Sequence, residues 1–195
     1  MSNRSESVDL YLKTIQDHAM VVEQLKSQQE LFANIAEHLI RAIRDGKKIL
    51  WCGNGGSAAD SQHLAAELVG RFRRERRAWC SIALTTDTSI LTSVANDASF
   101  DDLFERQLLA IGRQGDVVLA ISTSGNSPNV LQAVCAAGEK GMKTIGLTGK
   151  GGGELAGICS LSLIVDSDST QRIQETHITI GHILCELIEN ALYPA

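Results

Sequence analysis

The chain has 195 residues, 44% of them hydrophobic and 21% charged, with a formal net charge of −5. This is the make-up of one globular domain with a sizeable core, and it excludes a disordered or low-complexity chain. The acidic balance argues against nucleic acid or an anionic membrane surface as a partner.

Apolar residues Val8, Leu12, Ile15, Ala19, Val22 and Leu25 recur every three or four positions, the spacing of an amphipathic helix. Such a helix either covers a sheet or pairs with another subunit, and its near-heptad spacing tilts toward the second. A second helix is expected from about Glu30 to Arg44, with Phe32, Ile35, Ala36, Leu39, Ile40 and Ile43 on one face and Gly46 as C-cap.

Lys47 to Leu68, KKILWCGNGGSAADSQHLAAEL, is the stretch around which the rest is arranged. A short apolar strand, Ile49 to Cys52, runs into a glycine-rich turn, Gly53 to Ser57, and then a helix from Ala58 to about Leu68. Strand, tight turn and helix make the βα unit of a parallel sheet. The glycines let backbone N–H groups approach a ligand, and the helix N-terminus favours an anion or polar oxygen. His63 and Glu67, four residues apart, share one face of that helix.

Arg71 to Arg77 holds five arginines. It reads as a solvated loop; a basic patch for phosphate or nucleic acid is the sharper alternative, but the acidic chain weighs against it. A strand is expected over Ser81 to Leu84, a helix over Ser89 to Val94, a break at Asn96-Asp97, and a helix from Phe100 to Gly112. Val117 to Ile121 is apolar on both faces, as a buried parallel strand should be. It ends in Ser122-Thr-Ser-Gly-Asn-Ser127, and Ser127-Pro128 reads as N-cap and first position of a helix reaching Lys140. A strand from Thr144 to Thr148, a glycine-rich turn, a short helix, a strand from Ser162 to Val165 and a long helix from Gln171 to Leu192 complete the chain. Alternating strands and helices predict a three-layer α/β sandwich with a central parallel sheet.

The five cysteines are odd in number and lack a C-x-x-C, which reads as reduced thiols in a cytoplasmic protein. The opening MSNRSESVDLY lacks the apolar run of a secretory leader, and no stretch approaches the roughly 18 apolar residues of a membrane span.

Two turns follow strands in the same way, and ligands of open parallel sheets bind at the carboxyl ends of strands. STSGNS offers the hydroxyls of Ser122, Thr123, Ser124 and Ser127 with N–H groups at a helix start, a phosphate cradle without a lysine. A polar loop with an ordinary cap fits the same residues. Neither turn is a Walker A loop, and GNGGS lacks the dinucleotide fingerprint. On the last helix the main apolar stripe is Ile173, Ile180, Leu184, Leu187, Ile188 and Ala191. Gln174, Ile178 and His182 lie roughly opposite it, with Cys185 nearby, so the helix is expected to be covered on two sides, as at a subunit interface. His177 falls on the main stripe as a core histidine, and His182 is the better functional candidate.

Taken together, CGNGGSAADSQHLAAEL, TTDTSILTSVAND, GDVVLAISTSGNSPNV, GMKTIGLTG and RIQETHITIGHIL resemble the phosphoheptose isomerase family of the sugar isomerase (SIS) superfamily, over about residues 47 to 188. The resemblance implies one flavodoxin-like SIS domain over 1–195, with a helical segment at 1–45 packing at a subunit interface and an α/β core at 46–195. It implies a ketose–aldose isomerase that converts sedoheptulose 7-phosphate to D-glycero-D-manno-heptose 7-phosphate for lipopolysaccharide or a related surface glycan. A cytoplasmic homotetramer is implied, with active sites between subunits and one zinc in each. By position, His63, Glu67, Gln174 and His182 match the family's zinc site, and Glu67 and His182 its acid–base pair. Asn54, Gly55, Gly56, Asn96 and Asp97 match sugar-contacting positions, and Glu67 and Gln174 also contact substrate there. Ser122, Thr123, Ser124 and Ser127 match the phosphate loop, and Asp60 an acidic residue near the site. Gln174 and His182 are eight residues apart, about 12 Å along a helix, so at least one metal ligand is expected to cross an interface. The alternative from the same superfamily is a non-catalytic tetramer that binds the replication initiator. Relatives of that kind look to lack the Glu67 and His182 equivalents.

Overall fold

A computed structural model describes residues 4–194. The ends of the expected domain, residues 1–3 and 195, lie outside the described residues. The apolar runs form strands β1 (Ile49–Gly53), β2 (Ser81–Ala83), β3 (Val117–Ser122), β4 (Lys143–Gly149) and β5 (Leu161–Val165). They pair in parallel in the order β2-β1-β3-β4-β5. β1 and β3 are buried along their whole length, which is why neither shows the polar alternation of a half-solvated strand.

Their side chains alternate between two cores. Ile49 and Trp51 of β1 join Val117, Leu119 and Ile121 of β3 on one face, under helices α2 (Gln29–Arg44), α3 (Gly56–Val69) and α8 (Thr170–Leu192). Leu50, Cys52, Val118 and Ala120 point to the other face. That face is covered by α5 (Leu103–Ile111), α6 (Pro128–Glu139) and α7 (Gly153–Ile158), and Leu91 and Val94 of α4 (Thr88–Asp97) pack at its margin. This is the three-layer α/β sandwich expected, in flavodoxin-like strand order.

Gly46 ends α2 as expected. Its φ of +71° lets its N–H reach the Ile43 carbonyl while the Lys47 N–H reaches that of Ala42, a Schellman turn. Helix α1 (Arg4–Gln24) buries none of its residues, and Val8, Leu12 and Ile15 are exposed. It is tied to α8 by polar contacts: Arg172 Nη1 donates to the Thr14 carbonyl (2.8 Å), and His18 Nδ1 lies 3.0 Å from Glu175 Oε2. In the 3-10 turn that follows, Leu25–Gln28, the Gln28 amide pairs with edge strand β5. Its Nε2 donates to the Ile164 carbonyl (2.8 Å) and its Oε1 accepts the Ile164 N–H (3.2 Å).

Three local expectations change. Asn96 and Asp97 do not break α4 but form its last residues, where Asn96 Nδ2 donates to Asp97 Oδ1 (2.7 Å) and a poor helix former costs least. Phe100 to Gly112 is not one helix: Phe100–Asp102 is a 3-10 turn capped by Ser99 Oγ, and α5 starts at Leu103. On α8 the stripe rotates, so that Cys185 and Glu189 are buried while Leu187 and Ala191 are exposed.

Candidate active site

Neighbours β1 and β3 lead to opposite sides of the sheet, β1 to β2 and β3 to β4, so the crevice at the switch in strand order lies beyond their carboxyl ends. GNGGS follows β1 and STSGNS follows β3, so both sequence-predicted turns border it. A reciprocal pair of amides joins them. Asn54 Nδ2 donates to Asn129 Oδ1 (2.8 Å), and Asn129 Nδ2 donates to Asn54 Oδ1 (2.9 Å). Asn129, on the first turn of α6, is buried and was not among the candidates.

Gly55 caps α3 with φ +56°, a conformation that favours glycine. Gly56 is exposed, and the Gln174 side chain lies over it; a Cβ there would come within 2.8 Å of Gln174 Cδ. A cavity of about 360 Å³ opens beside the turn, walled in part by Thr85, Leu91, Thr92, Phe100 and Phe104. In the second turn the Ser122 and Ser127 hydroxyls bond each other (3.0 Å), and Ser124 Oγ accepts the Asn126 N–H (3.2 Å). Ser127 is the N-cap by position, and its carbonyl accepts the first helical N–H groups, of Val130 and Leu131 at 3.0 Å each, but its hydroxyl makes no cap bond and turns to Ser122 instead. Thr123 and Ser124 are half-buried. Asn96 and Asp97 are exposed, and Asp97 lines a different cleft, with Ser93, Asp102, Glu105 and Arg106.

A second group forms where α3 crosses α8. His63 Nε2 lies 3.2 Å from Glu67 Oε1 and 3.4 Å from His182 Nε2, and one donor atom from each of the three residues falls within 4.8 Å of the others. Two packing features mark the crossing. Gly181 leaves room for Leu64, and the Phe72 ring lies beside His182, with centroids 5.9 Å apart. Tetrahedral zinc, bound at roughly 2.0–2.1 Å, spaces its donor atoms about 3.3–3.4 Å apart. The two short separations match that edge, and imidazole and carboxylate are donors that zinc accepts, so these residues fit the ion. Gln174 is not in this group. Its amide sits at Gly56, and His63 is seven residues further along α3, about 10 Å away along the axis. Asp60, one turn before His63, is half-buried with Oδ2 unpartnered; burial pushes its carboxyl up to about 6, with His63 pulling the other way.

His177 is buried in the core as expected, its Nε2 donating to the Thr148 carbonyl (3.0 Å). Burial pushes its imidazole down to about 4, against the pull of that hydrogen bond, so it is neutral at ordinary pH.

The basic loop is solvated at Arg71, Arg73 and Arg77, as expected, but departs from that reading at Arg76. Arg76 is enclosed: Nε lies 3.1 Å from Glu189 Oε1, Nη2 donates to the Glu67 carbonyl (2.7 Å) and Nη1 to that of Leu68 (2.9 Å). Its guanidinium lies 3.7 Å over the Trp79 ring. Glu189 also accepts the N–H groups of Arg73 (2.9 Å) and Phe72 (3.3 Å). Burial pushes the Glu189 carboxyl up, but the N–H groups of Arg73, Arg74 and Phe72 and the Arg76 side chain outweigh it and hold the group below the usual carboxylate range.

The SIS domain model matches residues 11–149. The phosphoheptose isomerase of Clostridium acetobutylicum is 50% identical over 187 residues, covering 96% of this chain and 91% of its own. That of Nitratidesulfovibrio vulgaris is 56% identical over 158 residues, 81% of this chain and 76% of its own. Among solved structures, a phosphoheptose isomerase from Francisella tularensis superposes with a TM-score of 0.90 at 34% identity, covering 97% of this chain and all of its own. The phosphoheptose isomerase of Neisseria gonorrhoeae gives 0.87 at 41% identity, with 96% and 100% covered. With both turns, the strand order and the His63–Glu67–His182 group in place, the chain belongs to the SIS domain family and, within it, to the phosphoheptose isomerases.

Proposed function

We propose that the chain isomerises sedoheptulose 7-phosphate to D-glycero-D-manno-heptose 7-phosphate by proton transfer through an enediol. The observation that carries this reading is the meeting of Glu67 and His182, from helices far apart in sequence, around His63. The phosphate is anchored on STSGNS, by the N–H groups at the start of α6 and the hydroxyls of Ser122, Thr123, Ser124 and Ser127. Asn54, Gly55 and Gly56 hold sugar hydroxyls at the neighbouring turn, with Asn96, Asp97 and Gln174 as further contacts.

The ketose carries its carbonyl at C2. A base takes a proton from C1, the C1–H electrons form the C1–C2 double bond, and the C2 oxygen gains a proton. The O1 proton then leaves, C1 becomes the carbonyl carbon, and C2 takes a proton. Glu67 and His182 divide this work as base and acid. Glu67 Oε1 faces His63, which leaves the second carboxylate oxygen for the carbon-bound proton. His63, Glu67 and His182, with Gln174, would hold one zinc per subunit, which when bound supplies Lewis-acid stabilisation of the charge developing on the two substrate oxygens.

The Gln174 amide lies away from the three donors of its own chain, so the set is completed across an interface in a homotetramer. Two features support this: the exposed apolar residues of α1, and the exposure of about half the His63 side chain. The five unpaired cysteines are in keeping with the cytoplasm, and among the described residues no helix is long and apolar enough to cross a membrane. The product would feed heptose into lipopolysaccharide or a related surface glycan.

The test is turnover of sedoheptulose 7-phosphate in D₂O, by the metal-stripped protein and with zinc restored, beside Glu67→Gln and His182→Gln. The expected result is an aldose carrying deuterium at C2, lost in both variants. Neither product nor exchange from a folded, zinc-supplied oligomer would refute the reading, pointing first to a different sugar phosphate and then to the non-catalytic scaffold.

A further inference from the structure

We propose that Arg76 and Glu189 are positioning residues for the Glu67–His182 pair, forming a crossbeam between the end of α3 and the end of α8. The proposal rests on the reading of Glu67 and His182 as the acid–base pair. Its basis is geometric. The carbonyls in the last turn of a helix lack intrahelical partners. In α3 two of them, on Glu67 and Leu68, are taken by the two terminal nitrogens of the Arg76 guanidinium (2.7 and 2.9 Å). The third nitrogen, Nε, pairs with Glu189 of α8 (3.1 Å). One rigid planar group therefore spans the two helices and grips the backbone of Glu67 itself.

Glu189 lies two turns beyond His182 on α8. By also accepting the Phe72 and Arg73 N–H groups it folds the 71–77 loop back, and this sets the Phe72 ring beside His182. Both members of the catalytic pair are thus steadied from the same place, Glu67 from below and His182 from its flank. Both side chains of the crossbeam are buried, with 0% and 2% of their surfaces exposed for Arg76 and Glu189, and the Trp79 ring closes one face of the guanidinium. Neither touches the three donor atoms, so their effect is exerted through placement alone. A lysine at 76 keeps the charge but offers one nitrogen where three are used. A glutamine at 189 keeps an acceptor for the backbone N–H groups but loses the charge that faces Arg76.

The experiment compares Arg76→Lys and Glu189→Gln with wild type, Glu67→Gln and a matched structural control, Asp116→Asn. Asp116 is buried at the opposite end of the sheet, where it pairs with Lys48 Nζ (2.7 Å) and accepts the Lys48 and Arg113 N–H groups. Three quantities are read: steady-state kcat and KM, zinc affinity by competition with a chromophoric chelator, and thermal unfolding. The expected result for either crossbeam variant is a kcat about 10–100-fold lower with KM within about twofold, and zinc affinity lowered over a similar range, as for other supporting partners of metal ligands. Asp116→Asn should unfold at lower temperature with kcat and zinc affinity unchanged. Wild-type kcat and zinc affinity from either folded crossbeam variant, beside an inactive Glu67→Gln, would overturn the positioning role while leaving the proposed function intact. Equal losses in Asp116→Asn would overturn it too, by showing general loosening. Full turnover by Glu67→Gln would remove the acid–base role of Glu67, and this proposal with it, while leaving the isomerisation itself standing. If Arg76→Lys does not fold, Glu189→Gln decides the matter alone.

Discussion

Gly181→Ala separates the packing of the site from the stability of the fold. Gly181 adjoins His182 on α8, and Leu64, which it faces, adjoins His63 on α3. A Cβ at position 181 would come within 2.6 Å of Leu64 Cδ2, whereas carbon atoms rest about 3.5 Å apart. Leu64 is fully buried, and cores are packed too closely for a buried leucine to swing aside freely, so the helices are expected to part by roughly 1 Å. Overpacking of this kind costs about 1–3 kcal/mol. Replacing a helical glycine by alanine returns about 1 kcal/mol. The net change in stability is therefore small, about 0–2 kcal/mol of destabilisation. The metal group has no such compensation. The 3.4 Å between His63 and His182 is set by the same contact, and a shift of roughly 1 Å takes the pair out of reach of one ion. The expected outcome is zinc affinity at least about tenfold weaker in a protein that still unfolds cooperatively in urea, with stability lowered by no more than about 2 kcal/mol. Adding Leu64→Ala should recover much of the affinity, because it removes the methyl groups that collide. A Gly181→Ala protein that binds zinc as tightly as wild type would refute the claim that this contact spaces the two histidines.

Three further outcomes follow from the geometry. Asn129→Ala should leave the Asn54 amide half-buried without its partner, costing about 1–3 kcal/mol in urea unfolding and raising KM; an unchanged KM would mean that the amide pair does not hold the turn. His177 has its imidazole lowered to about 4 in the fold, against about 6.5 when unfolded, so its contribution is complete above pH 6.5 and fades as pH falls toward 4. That amounts to about 3 kcal/mol at pH 4, and His177→Gln, which can still donate to Thr148, should flatten the acid limb of stability against pH; an unaltered limb would show that another group governs it. Gly56→Ala should push the Gln174 amide off the turn and lower turnover while leaving the unfolding midpoint nearly in place, because the colliding atoms are the end of a flexible side chain. Unchanged turnover would separate Gln174 from the reaction.

The sheet was legible because burial on both faces writes itself as uninterrupted apolar runs such as Val117 to Ile121, and the two turns because glycine and serine clusters directly follow such runs. His63 and Glu67 were legible for a local reason, their spacing on one helix. Their junction with His182 was not, since no periodicity records which face of α8 meets α3; family resemblance implied it, and in the fold it lies at a glycine–leucine contact. Asn129 was missed because an asparagine after Ser-Pro looks like a turn residue, and its partner lies 75 positions away. Arg76 was hidden among four other arginines, and what distinguishes it is an acidic residue 113 positions later. In each case the missing information was a long-range polar contact, which leaves no mark on local composition.

The amide of Gln28 occupies the outer rim of β5, presenting to Ile164 the same donor and acceptor that another strand's backbone would present. The opposite rim, β2, is only three residues long. A margin taken at Ile164 and another only three residues long both shorten the row of open groups along which chains zip into continuous ribbons. Both devices disfavour growth by extending one copy's sheet with another's and leave contacts between copies to helical surfaces, where side chains decide the fit. A variant such as Gln28→Ala would expose the margin of β5, and its first symptom should be slow, concentration-dependent fibre formation, before any change in chemistry.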